Sequence, residues 1–130
     1  TAEGLGGSVS FIGVYYGVRD PVVGWLTHEF HSVVFGFMFS GLVSIASSKR
    51  RNHLTTYVGF GIVWGLVLWF VAAGLVSPIW LRLLGIPASI PTLSGMLVVT
   101  HVVWGISLGV FTALGHEYVA PWARRRLSRL

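Results

Sequence analysis

The sequence predicts an all-α integral membrane protein, a four-helix bundle built from two helical hairpins, and composition is the first reason. Of the 130 residues, 54% are hydrophobic and only 10% are charged, and the mean hydropathy is +0.76. A soluble domain carries roughly 25% charged residues. A chain this short also has too much surface for its volume to hide so much apolar area from water. We therefore expect most of the chain to contact lipid.

Apolar stretches of membrane-spanning length are the second reason. A transmembrane helix needs about 20 mostly apolar residues to cross about 30 Å of hydrocarbon. The sequence predicts such helices over residues 23–47, 54–77 and 93–118. Residues 4–18 are also apolar, but this stretch is shorter and the chain begins with threonine rather than methionine. We expect it to be a first helix that is incomplete at its N-terminus.

Prolines mark the predicted end of the third helix. Pro78, Pro87 and Pro91 lie between the third and fourth helices, and proline lacks the amide donor that a continuing helix requires. Residues 79–84 are expected to form one or two turns along the membrane interface, with Trp80 at the depth of the lipid headgroups.

Basic clusters set the predicted orientation. The chain has 9 Lys and Arg against 4 Asp and Glu, a formal charge of +5. Seven of the cations follow the second and fourth helices: Lys49, Arg50, Arg51, Arg124, Arg125, Arg126 and Arg129. Such clusters remain in the cytoplasm, so we predict a multi-pass cell-membrane protein with both termini cytoplasmic and a basic tail over residues 119–130. Contact with anionic lipid explains these cations better than nucleic acid does, so no nucleic acid partner is expected.

Small residues recur at four-residue spacing in every predicted helix. The pairs are Gly13 and Gly17, Gly36 and Ser40, Gly61 and Gly65, and Gly105 and Gly109. Small side chains let the backbones of membrane helices approach closely. Helix packing, within one chain or between subunits, is the favoured interpretation of these residues. Close approach to a planar cofactor is the alternative.

Ionisable residues within a span are costly and mark candidate sites. His28 lies near the start of the second helix and His101 near the start of the fourth, so both are predicted in the outer half of the membrane. If their faces meet, the two imidazoles could ligate a metal ion or a haem b iron, with Gly105 making room for the porphyrin. Hydrogen bonding at the interface or between helices is the favoured role, proton or substrate handling is a third, and the cofactor, if any, is unknown.

The motifs of the common enzyme classes are missing from the sequence. Residues 28–31 read HEFH, but a zinc protease helix needs its second histidine four residues after the first, and this one is three residues away. The chain has no cysteine, which excludes thiolate metal sites and cysteine nucleophiles. A non-enzymatic protein is therefore predicted, with His31 in a packing or supporting role.

Three segments resemble a family of small four-helix membrane proteins from halophilic archaea, some of which are labelled histidine kinases. The segments are GWLTHEFHSVVFG, LWFVAAGLVSPIWLRLLGIPASIP and THVVWGISLGVFTALG. The shared pattern is a histidine opening the second and fourth spans, here His28 and His101, and a W-L-x-x-x-G-x-P loop, here Trp80 to Pro87. The resemblance implies a four-helix membrane fold. It implies no activity, and the chain has no room for an ATP-binding domain.

Three functions remain open from the sequence. The leading hypothesis is an accessory or structural subunit of a larger membrane assembly, such as a respiratory complex, with the lipid bilayer and other membrane subunits or further copies of itself as partners. The first alternative is a haem b electron-transfer protein with His28 and His101 as axial ligands. The second is a small transporter or channel that uses the same histidines.

Overall fold

The computed structural model describes residues 11–46 and 54–115, of which 84% are helical and none lie in a strand. Three long helices dominate these residues: α1 (Pro21–Ile45), α2 (Leu54–Leu83) and α3 (Gly95–Leu114). Ahead of α1, residues 11–13 are helical and Val14–Tyr16 form a 3-10 turn. The all-α class is confirmed. Residues 4–10 of the predicted first helix, both basic clusters and the tail lie outside the described residues.

α1 begins at a strong helix-initiating sequence. The Asp20 side chain accepts hydrogen bonds from the backbone amides of Val22 at 2.8 Å and Val23 at 3.0 Å. Pro21 occupies the first helical position, where the missing amide costs nothing because that amide would have no partner within the helix. The helix therefore starts two residues before the predicted boundary at residue 23.

α2 continues through Pro78, where the sequence analysis predicts that the helix ends. An α-helical carbonyl at Gly74 would accept from the amide of residue 78, which proline lacks. The structure accommodates the proline in two ways. Leu68–Val76 adopt π-helical geometry, and the Thr92 amide in the following loop donates to the Gly74 carbonyl at 3.0 Å. Residues 79–83, which lie within the one or two separate turns expected over residues 79–84, are the last turns of α2.

α2 and α3 form an antiparallel hairpin, and α1 lies against one end of it. The contact with α1 is a small buried cluster of Phe39 and Val43 from α1 with Tyr57 from α2. Trp64, Leu108 and Ala113 pack around this cluster. Within the described residues no charged residue is buried, and this contact between α1 and the hairpin is built mainly from apolar side chains.

Among the residues that the structure describes, two helices, α2 and α3, are long and apolar enough to cross a membrane. In their most apolar stretches only 22% of α2 and 11% of α3 is buried within the protein. A core helix of a soluble protein would be mostly buried, so this exposure is typical of helices that contact lipid or other proteins. α1 has 25 residues but is less apolar, because His28, Glu29 and His31 lie within it.

Candidate functional site

The backbones of α2 and α3 approach each other closely at four glycines. A Cβ atom placed on Gly61 would collide with the carbonyl of Gly105, and one on Gly105 would collide with the carbonyl of Gly61. Gly65 meets the carbonyl of His101 in the same way, and Gly109 meets that of Tyr57. These four glycines therefore form a single interface, at which any larger residue would push the two backbones apart. We call it the glycine interface.

The other four small residues lie elsewhere. A Cβ on Gly13 would collide with the Val18 carbonyl, so Gly13 packs inside the turn that leads into α1. Gly17 has a φ of 82°, which favours glycine, and caps the 3-10 turn in an exposed position rather than packing between helices. Gly36 meets only the side chain of Leu108, at 3.9 Å from its ideal Cβ, and Ser40 is exposed.

His101 is held by its own helix. Its Nδ1 atom lies 2.7 Å from the Leu97 carbonyl oxygen, and a carbonyl only accepts, so Nδ1 carries the proton and donates. The Nε2 lone pair then faces no hydrogen-bond donor among the described residues. This is the arrangement in which a backbone carbonyl fixes the tautomer and leaves Nε2 free to accept a hydrogen bond or ligate a metal.

His28 has an exposed side chain, and within residues 11–46 and 54–115 no hydrogen bond or ring contact joins it to His101. The contact between Gly36 of α1 and Leu108 of α3 lies about two turns after each histidine along its own helix. In the described part of the chain, no group of three or more His, Cys, Asp or Glu side chains is placed to hold a metal ion.

His31 has a structural role that the sequence analysis could not specify, because its partner precedes the helix. The Tyr16 hydroxyl lies 3.1 Å from His31 Nε2, and the two rings are 6.1 Å apart. The Phe35 ring, one turn along α1, lies 6.3 Å from the imidazole. His31 therefore holds the 3-10 turn against α1 through a hydrogen bond and a ring contact.

Hydrogen bonds also attach this turn to the C-terminal end of α2. The Trp80 indole donates to the Tyr15 carbonyl at 3.0 Å, and the Tyr15 hydroxyl is hydrogen-bonded to Ser77. Ser77 immediately precedes Pro78 and Trp80 follows it, so the two contacts lie on either side of the proline. The continuation of the helix through Pro78 thus supplies one of the two contacts that hold the 3-10 turn.

An apolar groove lies between α1 and α2. Its volume is about 150 Å³. It is lined by apolar and aromatic side chains from both helices: Phe39, Leu42, Val43, Ala46, Phe60, Val63 and Trp64. The groove is partly open on one side. The Trp64 indole N–H is buried and has no acceptor among the described residues. Sequence reasoning missed this feature because Trp64 lies in a uniformly apolar stretch, where nothing distinguishes it from lipid-facing tryptophans.

Comparison with known proteins supplies no family for this chain. No protein-family profile, curated sequence or solved structure gives a significant match.

Proposed function

We propose that this chain is a multi-pass protein of the cell membrane, with both termini cytoplasmic, that acts as a non-enzymatic accessory subunit. In this proposal α2 and α3 are its rigid part and α1 is the helix that binds another membrane protein or a second copy. The observation that carries the proposal is the contrast between the two attachments. The hairpin is closed by backbone contact at the glycine interface, whereas α1 is attached through side chains, by a small apolar cluster near its C-terminal end and by the 3-10 turn that precedes it.

The surface of α1 supports this assignment. Phe37 is 75% exposed and Ile45 is 83% exposed, and the polar side chains of His28 and Glu29 also face outward. A helix that contacts only lipid gains nothing from exposed ionisable groups. A neighbouring protein can satisfy their hydrogen bonds, and interfaces between membrane helices use polar and small residues for this purpose.

A photo-crosslinker incorporated in native membranes tests the proposal. Phe37 of α1 and Phe111 of α3 are matched positions, since both are phenylalanines and are 75% and 72% exposed. Benzoylphenylalanine at position 37 is expected to yield one discrete protein adduct, and the same group at position 111 is expected to yield lipid adducts only. No protein adduct at 37, or equal adducts at both positions, would contradict the role assigned to α1.

Haem b binding by His28 and His101 is the second candidate, and the free Nε2 of His101 favours it. Here the α1–hairpin geometry would have to bring the exposed His28 ring toward His101. The absorption spectrum of the purified protein decides the matter. A Soret band that is lost in both His28→Ala and His101→Ala supports a haem held between the two helices, and a colourless preparation from haem-replete cells rejects it.

A further inference from the structure

Residues 13–18, which we call the N-terminal turn, connect α1 to the end of α2. The Tyr16 hydroxyl lies 3.1 Å from Nε2 of His31 on α1. Tyr15 contacts α2 twice: its hydroxyl is hydrogen-bonded to Ser77, and its backbone carbonyl accepts from the Trp80 indole N–H at 3.0 Å. Two consecutive residues of one turn therefore contact two different helices.

The backbone of the N-terminal turn is closed on itself. The Val18 amide donates to the Gly13 carbonyl at 3.2 Å, and the Gly17 amide donates to the Val14 carbonyl at 3.0 Å. A Cβ on Gly13 would collide with the Val18 carbonyl, and Gly17 has a φ of 82°, so both positions favour glycine. A turn closed in this way holds its two tyrosines in a fixed relation and moves as one unit.

Burial along α1 shows which part of the helix depends on this turn. Helical spacing places His28, Ser32, Phe35, Phe39 and Val43 on one face of α1. On that face Phe39 and Val43 are buried, Ser32 and Phe35 are partly buried, and His28 is exposed. Burial therefore decreases toward the N-terminal end of α1, which is the end that the N-terminal turn attaches to α2.

We propose that the N-terminal turn is a releasable latch, and that the N-terminal half of α1 swings away from the hairpin about the buried cluster around Phe39 when the latch opens. The closed latch presents α1 to its partner in one position. A preorganised helix binds more tightly than a mobile one, because less conformational entropy is lost on binding. This effect on partner binding rests on the subunit role proposed above, whereas the latch itself does not.

Distances between spin labels on the full chain in lipid nanodiscs, measured by double electron–electron resonance, test the latch. The sequence has no cysteine, so labels can be attached at Leu26→Cys on α1 and Val99→Cys on α3, where the native side chains are 64% and 55% exposed. With no further change, this outer pair is expected to give one narrow distance distribution.

Three variants open the latch in different ways. Tyr16→Phe removes the hydroxyl that contacts His31, and Trp80→Phe removes the donor to the Tyr15 carbonyl. Each should raise the population at longer distance about two- to tenfold, the effect of losing one hydrogen bond. Gly17→Ala removes no contact and its Cβ meets nothing within 4 Å, but it strains the backbone of the turn and should open the latch as well.

Two controls separate opening of the latch from general loosening. Ser107→Ala removes a hydroxyl that donates only to the Val103 carbonyl of its own helix, at 2.9 Å, so the outer pair should be unchanged. A second label pair at Ile45→Cys and Phe111→Cys lies near the pivot and replaces side chains that are 83% and 72% exposed. Its distance should stay the same in all three variants, which also shows that they fold.

Two results would overturn the proposal. One is an outer-pair distribution that is the same in all three variants as in the unaltered chain. The other is equal broadening of both label pairs, because α1 would then leave the hairpin as a whole. Failure of the latch is distinct from failure of the subunit role: a missing adduct from position 37 removes the subunit role alone, and an unchanged outer pair removes the latch alone.

Discussion

Replacing Gly105 with alanine perturbs the glycine interface at its centre. The new Cβ would lie 2.9 Å from the carbonyl carbon of Gly61 and 3.4 Å from the Cα of Gly65. Carbon atoms in unstrained contact are about 3.5–4.0 Å apart, so the helices must separate by roughly 0.5–1 Å at this point. A gap of that size forfeits about a quarter to a half of the dispersion energy of each atom pair along the interface.

We expect Gly105→Ala to lower the free energy of unfolding by about 1–3 kcal/mol, the usual cost of overpacking. The greater helix propensity of alanine offsets part of this loss, at most about 1 kcal/mol. Gly105→Val should cost more, because its branched side chain requires a wider separation. The assay is reversible unfolding in mixed detergent micelles, followed by far-ultraviolet circular dichroism.

Gly41→Ala in α1 is the matched control, because a Cβ at Gly41 meets nothing within 4 Å. Its free energy of unfolding should stay the same or rise by up to about 1 kcal/mol, as expected for glycine to alanine in an open helical position. If Gly105→Ala is as stable as Gly41→Ala, then α2 and α3 do not approach as closely as described, and the reasoning from the glycine interface is refuted.

Two further predictions concern the start of α1 and the orientation of the chain. Asp20→Ala should lower the free energy of unfolding by about 1 kcal/mol, because it removes the acceptor for the amides of Val22 and Val23. Asp20→Asn should retain most of the stability, and equal losses in the two variants would count against a capping role. Ser89→Cys, in the exposed loop before α3 of a chain that has no other cysteine, should react with a membrane-impermeant maleimide on intact cells. Reaction only after permeabilisation would reverse the predicted orientation.

The helices could be predicted from sequence largely because apolar length and helix capping are local properties. The start of α2 at Leu54 follows the last residues of a polar stretch, and α1 begins within two residues of its predicted start, at the cap formed by Asp20 and Pro21. The end of α2 could not be predicted in the same way. Pro78 removes one amide, but the replacement donor, Thr92, lies on the following loop. Whether a proline ends a helix or is tolerated depends on such a distant partner.

The spacing of small residues predicted only part of the helix packing. Four-residue spacing places two glycines on one helix face, and in α2 and α3 that face meets another backbone. The spacing of Gly13 and Gly17 is identical, yet the chain turns between them and Gly17 adopts a left-handed conformation. Spacing alone does not distinguish a helix face from a turn, because both use glycine for reasons unrelated to each other.

The hydrogen bonding of polar side chains is harder to predict than helix packing. In an apolar protein, a polar side chain is satisfied or unsatisfied according to the one partner that lies within reach. His101 and Trp64 both lie in apolar helices, and the sequence marks only the histidine as chemically interesting. The structure gives His101 a donor role toward the backbone of its own helix and leaves the Trp64 N–H without an acceptor. In the hydrocarbon of a membrane no water could accept a hydrogen bond from the Trp64 N–H, so leaving this donor unpaired costs more there than in water.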